Sequence, residues 1–380
     1  MKRSTQFFLS LVTLLALSLT ACDKVVIDDF KQPGPSFSMD AFEANIIEAL
    51  DGKVTGYSYS IGLNGNAARE GAGGFAVMPG TSPDYQTGLE MKHTSRMHIA
   101  SVTKPVTALT LYKTMALKGM QDLEIPFIQF LPTHWTIHPS LNDVTLRQLL
   151  DHTSGILNSG NVYDDIKEWI ALGVNQSDKG DYSYNNANYS VLRIVCAYIN
   201  SGELLNQATF ANDDENLDLL TNEIFMNLMK SKVLNPAQVT HNPLFPSRSN
   251  PVYFYNYSDL TQAPWITSDF SKGPGAFGLY LSANDMSSVL AHARHLDGYL
   301  PQPYYDWFFT EDIGLHTSNG DQGTYLHHGG DWISSGRGVN TRIMIFPNNV
   351  EATIMINCRT HEAGDDRALL QNAYDDAWSN

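Results

Sequence analysis

The feature that most limits how this chain can fold is the position of its strands. They stand at the two ends, with helical sequence between them. Near the C-terminus, TRIMIFPNNVEATIMIN reads as a hairpin, two apolar runs about a Pro-Asn-Asn turn. Near the N-terminus, GYSYSIGLNG and GAGGFAVM read as two strands around a glycine-containing turn. An isolated hairpin is marginal in water, so the economical solution is one antiparallel sheet assembled from both ends of the chain. Residues 39–51 place Phe42, Ile46, Ile47 and Leu50 at helical spacing, and a last helix is expected from about Ala363. Residues 101–118 predict a strongly apolar helix, with Pro105 in its first turn and Gly119 at its C-cap. VTLRQLLDHTSGI predicts a second helix ending at Gly155. NYSVLRIVCAYI, NEIFMNLMKSKVL and residues 284–297 predict further helices, the last capped by Ser282 or Asn284. The fold class expected is α/β in the α+β sense: an antiparallel sheet from both chain ends flanked by helices, plus an inserted, mostly helical lobe. The sheet lobe would take about 39–98 and 275–380, and the helical lobe about 99–274, with a cleft at their seam.

The first residues carry a different signal. Lys2 and Arg3 precede a short apolar run from Phe7 to Leu19, and small residues then lead to Cys22. This is the layout of a secretory signal over residues 1–21, too short for a membrane span. Leu19-Thr20-Ala21-Cys22 resembles the bacterial lipobox, which implies cleavage before Cys22 and lipidation of its thiol. Asp23 follows that cysteine, and the choice of membrane stays open. Residues 22–38, with Pro33-Gly34-Pro35, read as a tether. The expected location is therefore the bacterial cell envelope, at a membrane face. Without residues 1–21 the chain keeps 22 basic against 40 acidic residues, a net of −18. Such a surface argues against nucleic acid and against a polybasic contact with anionic lipid, so lipid on Cys22 would be the membrane contact.

Only Cys196 and Cys358 remain after Cys22, each in an apolar context, and two buried free thiols are expected. No Cys-x-x-Cys or His-Glu-x-x-His occurs, and the spacing of His134 and His138 is not taken as a metal site. No cofactor is expected.

The chemistry concentrates in three short stretches. Ser-x-x-Lys occurs once in the chain, as Ser101 to Lys104 in IASVTKPVTAL. Ser101 would stand at a helix start, where N–H groups favour negative charge on an attacking oxygen, with Lys104 one turn on along the same face. A serine is a poor nucleophile at its free pKa and needs a base. YSYNNANYSVL offers one: Tyr184-Asn185-Asn186 fits Tyr-x-Asn, and a tyrosine beside an ammonium can have its pKa lowered enough to take the serine proton. Asn186 could hold the lysine or a substrate amide. Tyr198-Ile199-Asn200 fits the same pattern but lies inside an apparent helix. YLHHGGDW supplies two overlapping His-x-Gly matches, His327 to Gly329 and His328 to Gly330. Glycines at a strand edge admit a substrate backbone and expose N–H donors, and a histidine can bind a carboxylate.

With these stretches in hand, the chain resembles the penicillin-recognising serine hydrolases of the class C β-lactamase type, with the related DD-carboxypeptidases, D-aminopeptidases and esterases. MHIASVTKPVTAL, GMQDLEIPFIQFLP, VTLRQLLDHTSGI, YSYNNANYSVL, GPGAFGLYLSANDM and LHHGGDW stand in the family's order. The resemblance implies a β-lactamase/transpeptidase-like fold, Ser101 as acylated nucleophile, Lys104 as its cationic partner, Tyr184 as general base and Asn186 as a polar clamp. It puts the third motif on His327 and Gly329, where β-lactamases of this class carry Lys-Thr-Gly, and that departure counts against efficient β-lactam hydrolysis. It implies an oxyanion hole from the N–H groups of Ser101 and Gly330, or of Asp331 if His328 is the motif residue. His152 in LLDHTSGI is read as structural, with Gly155 as a helix C-cap.

The expected function is a Ser-Lys-Tyr hydrolase acting through an acyl-enzyme on an amide or ester, of a DD-peptidase-like or esterase-like kind, with a small-molecule or peptide substrate, such as a cell-wall peptide. The rival is a non-catalytic binding or sensor lipoprotein on the same fold, which should have lost its nucleophile or base. An α/β-hydrolase is excluded by the absence of Gly-x-Ser-x-Gly.

Overall fold

A computed structural model describes residues 35–157, 160–207, 212–266, 269–359 and 363–379. Cys22, the preceding apolar run and most of the tether lie outside the described residues.

The strands do come from both ends of the chain. The first two strands of the main sheet, β1 (Gly56–Leu63) and β2 (Asn66–Val77), form a hairpin whose turn residues Asn64 and Gly65 both have positive φ, the backbone that tight hairpin turns require. A short β3 (Leu89–Glu90) pairs with β2. Late in the chain come β4 (His316–Gly320), β5 (Gly323–Ser334), β6 (Arg337–Ile345) and β7 (Val350–Ile356). The order across the sheet is β3-β2-β1-β7-β6-β5-β4, every neighbour antiparallel. The two ends meet at β1 and β7, where Tyr57 stands opposite Ile356 and Leu63 opposite Val350.

Both faces of this sheet are covered, which is why β7 is buried throughout, Glu351 and Thr353 included. On one face lie α1 (Met39–Leu50) and the last helix, α9 (Asp366–Asp375). Phe42, Ile46 and Leu50 of α1 pack there with Ile354, Ile356, Leu370 and Tyr374, and the Phe346 and Tyr374 rings stack 3.9 Å apart. Ile47 turns outward instead. The inserted helices α2 (Thr103–Leu117), α3 (Leu146–Leu150), α4 (Tyr163–Leu172), α5 (Asn186–Leu205) and α6 (Asp214–Met229) pack with one another in a second core, while α7 (Ala283–His295) lies against the other face of the sheet, on β1 and β7, and α8 (Tyr304–Phe309) packs on α2 and α7. Helix α2 is buried on nearly every side, as an apolar helix at the centre of a core should be. Helix α7 is capped by Ser282, in a capping box with Asp285. Cys196 and Cys358 are both buried free thiols.

Two sequence expectations fail locally. The helix predicted to run to Gly155 stops at Leu150, and the left-handed residue after it is His152, at φ 57°. Tertiary bonding ends that helix: the His152 imidazole accepts the Asn185 N–H at 3.2 Å and lies against Asn188. Helix α4 was not anticipated, although Tyr163, Ile166 and Ile170 recur at helical spacing and are buried.

Candidate active site

Ser101 sits in a 3-10 turn, Ala100–Val102, that leads directly into α2. Ala100 is left-handed, at φ 46°, a strained backbone for a residue with a Cβ, of the kind found at functional turns. The turn is fixed to the sheet by Thr341 of β6, whose hydroxyl donates to the Ile99 carbonyl at 2.8 Å.

Lys104, in the first turn of α2, is fully buried. Its Nζ lies 2.9 Å from Ser101 Oγ, 2.8 Å from Asn186 Oδ1 and 3.0 Å from the Ala276 carbonyl. Burial pushes its pKa well below the usual lysine range. A neutral amine satisfies this geometry completely. Its two hydrogens go to Asn186 and Ala276, and its lone pair faces the Ser101 hydroxyl. Asn186 reaches the lysine because it opens α5, behind the N-cap Asn185.

The Tyr184 hydroxyl donates to Ser101 Oγ at 2.8 Å, and its ring centroid is 4.8 Å from Lys104 Nζ. Its ring rests on that of His152, centroids 4.5 Å apart. The expectation of a lowered tyrosine pKa is reversed here. Burial pushes the Tyr184 hydroxyl up to about 12, with the bond to Ser101 pulling the other way. Tyr184 is therefore protonated at neutral pH, and Lys104 is the group whose environment frees a lone pair. His152, its pKa lowered to about 3 chiefly by burial, is a neutral prop under the tyrosine.

Strand β5 carries the third motif. Its partner β4 pairs with residues 323–327 only, so among the described residues no strand flanks the outer side of residues 328–334. Strand alternation then separates the two overlapping matches. His328 and Gly330 face the Ser101 side, and His328 lines the cavity that contains Ser101 and Tyr184. His327 and Gly329 lie on the opposite face, with Arg342 and Met344 of β6 as their cross-strand neighbours. The assignment to His327 and Gly329 is corrected accordingly to His328, Gly329 and Gly330. Gly329 still lines the cavity by its backbone, and a Cβ there would meet the Arg342 guanidinium at 2.6 Å. A Cβ on Gly330 would meet the Ile99 carbonyl at 2.3 Å and stand 3.2 Å from Ser101 N, so only glycine lets the strand pass this close to the serine. Neither histidine is poised to titrate near neutrality. Burial, then Arg342, hold His327 at about 3, and burial, then His316, hold His328 well below its usual value. His328 Nδ1 lies 2.8 Å from the Gly329 carbonyl, which assigns the proton to Nδ1 and leaves Nε2 as an acceptor.

The cavity, about 350 Å³, is also lined by His316, Asp331, Asn340, Arg342, Arg359 and Asp366. Of these, sequence reasoning named only Asp331, for its backbone N–H. Arg342 grips Asp366 of α9 with two bonds, Nη2 at 2.9 Å and Nε at 3.2 Å, and so ties the last helix to the strand beside the site. A signal was present: Arg342 is the one charge in the apolar run TRIMIF. His134 and His138 have separate partners, Asp214 at 2.9 Å and the Ser140 hydroxyl at 2.8 Å.

Comparison with known proteins bears on the family and the fold. A sequence model of a family described as Beta-lactamase matches residues 42–375. The putative penicillin-binding protein PbpX of Bacillus subtilis (strain 168) is 26% identical over 294 residues, which is 73% of this chain and 67% of that protein. Among solved structures, a beta-lactamase/D-alanine carboxypeptidase from Yersinia pestis superposes with a TM-score of 0.65 at 14% identity, covering 89% of this chain and 97% of its own. A D-amino acid amidase from Ochrobactrum anthropi SV3 superposes with a TM-score of 0.63 at 16% identity, covering 88% and 97%. At these identities the two structures show the fold.

Proposed function

The chain belongs to the beta-lactamase family of serine hydrolases, and we propose that it cleaves an amide or ester through an acyl-enzyme on Ser101. One observation carries the reading: Ser101 Oγ lies 2.9 Å from the Lys104 amine and 2.8 Å from the Tyr184 hydroxyl at once. In the proposed reaction Lys104 takes the Ser101 proton as Oγ bonds to the substrate carbonyl carbon. The resulting oxyanion is held by the N–H groups of Ser101 and Asp331, the register that follows from His328. As the carbon–leaving-group bond breaks, Tyr184 gives its proton to the departing nitrogen or oxygen, and Lys104 restores it. Water then adds to the acyl carbon, and Ser101 Oγ leaves with a proton returned from the same pair. Asn186 and the Ala276 carbonyl keep Nζ on this path.

The substrate preferred by this reading is a peptide or small amide of the kind named for the carboxypeptidase and amidase relatives. β-Lactams fit less well, because a neutral histidine stands where class C β-lactamases carry a lysine. Against a non-catalytic module, nucleophile, amine and tyrosine are all retained and converge. We further propose that Cys22 is lipidated and holds the protein at the cell envelope, a reading that rests on Leu19-Thr20-Ala21-Cys22. A fluorophosphonate probe tests the central claim. Stoichiometric labelling of the wild type and none of Ser101→Ala, with loss of hydrolysis across D-amino-acid peptides, short esters and a cephalosporin, is expected. An unlabelled wild type would return the protein to the non-catalytic reading.

A further inference from the structure

A second cavity, of about 330 Å³, lies on the His152 side of Tyr184 and shares His316 with the cavity that holds Ser101. Its walls carry three carboxylates, Asp151, Glu311 and Asp312, and no lysine or arginine. Arg147 pairs with Glu311 at 3.0 Å, and with Glu124 at 2.7 Å. Among the described residues neither Asp151 nor Asp312 has a cation within ion-pair distance. Burial pushes both of these carboxyls up, Asp151 to about 6 against the opposing pull of the nearby Arg147, and Asp312 against a hydrogen bond from Thr317.

A second observation is independent of the acids. His152, 2% exposed, lines this cavity. Its Nδ1 accepts the Asn185 N–H, which assigns the imidazole proton to Nε2, and that N–H is buried without an acceptor. The cavity thus presents three carboxylates against the single nearby guanidinium of Arg147, which Glu124 also claims, and a donor lacking an acceptor.

We propose that this cavity is the subsite for a basic side chain of the substrate. An ammonium or guanidinium group enters among Asp151, Glu311 and Asp312, and a carbonyl oxygen of the same residue accepts from His152 Nε2. The inference rests on the reading of Ser101 as a nucleophile toward amides, and it names the class: peptides with a cationic residue beside the scissile bond, reaching past His316.

The test is binding, so that it does not depend on turnover. Ser101→Ala protein is titrated calorimetrically with N-acetyl-lysyl-alanine and with its norleucyl counterpart, each residue in both configurations. The norleucyl peptide lacks only the ammonium. The lysyl peptide should bind about tenfold tighter at low ionic strength, and the gap should shrink as salt rises to about 0.2 M. Asp151→Asn with Asp312→Asn should bring the ratio toward one, with circular dichroism and the thermal midpoint reporting that the fold is kept. Equal affinities, a gap untouched by salt or by the asparagines, or no binding of either peptide at millimolar concentration would overturn the subsite. Selective lysyl binding by a wild type that takes no fluorophosphonate would instead sink the hydrolase reading and keep the subsite. Labelling without lysyl selectivity would do the reverse.

Discussion

Replacing Gly330 by alanine should disable the site while leaving every reacting side chain in place. A Cβ there would stand 2.2 Å from Thr341 Oγ1 and 2.3 Å from the Ile99 carbonyl oxygen, against ordinary contact at 3.4 Å or more. The threonine could rotate, but the carbonyl is backbone, in the turn that presents Ser101. Relief therefore requires strand and turn to part by about 1 Å, and a displacement of that size at reacting atoms costs roughly 10²-fold. Overpacking of this kind costs about 1–3 kcal/mol. Loss of the Thr341 hydroxyl's bond to Ile99, 2.8 Å in the wild type, adds about 1 kcal/mol. The urea midpoint should fall accordingly, and the rate of Ser101 labelling by a fluorophosphonate should drop about a hundredfold. Gly329→Ala is the control, because its Cβ meets the end of the Arg342 side chain on the other face, and a loss under about tenfold is expected. A Gly330→Ala protein with labelling within threefold of wild type and an unchanged midpoint would refute the close-approach argument.

The pH dependence of labelling separates the roles of Lys104 and Tyr184. A base must be unprotonated and an acid protonated, so the rate should rise through the depressed pKa of Lys104 and fall as pH approaches the value of about 12 for Tyr184; a rise centred near 10.4, where an ordinary lysine titrates, would contradict the buried amine. His328→Ala should lower kcat/KM by about tenfold or more and His327→Ala by less than about threefold, since only His328 lines the Ser101 cavity; the opposite ranking would overturn the strand alternation. His98, His152 and His327 are each held at about 3, desolvation leading in every case. Because the folded pKa lies below the unfolded value, stability is full above about pH 6.5 and is lost as pH falls toward 3, by about 2 kcal/mol per histidine at pH 5. Urea midpoints at pH 7 and pH 5 measure the loss, and His98→Phe, in its cage of Trp265, Phe270, Tyr280 and Trp332, should remove about 2 kcal/mol of it.

What the sequence determined by itself was local pattern. Alternation and turn chemistry placed the two terminal hairpins, and helical spacing placed α1, α2, α5 and α7, because those signals are written within a few residues of one another. The short stretches holding Ser101, Lys104, Tyr184 and Asn186 were legible for the same reason, each residue type sitting at a fixed offset on one element. Tertiary structure decided the rest. Spacing could not choose between His327 and His328, which stand one residue apart; the choice depends on which face of β5 meets the turn at Ala100–Val102. Nor could it give the direction of the Tyr184 shift. A lysine nearby lowers a tyrosine's pKa only while it is charged, and Lys104 is so completely enclosed that burial drives it toward the neutral amine. The Arg342–Asp366 pair and the acid-lined second cavity were invisible in the chain, since they join residues brought together only when β6 meets α9 and when α3 meets the loop before β4. Charge and solvation act through space, and a linear sequence carries neither distance nor burial.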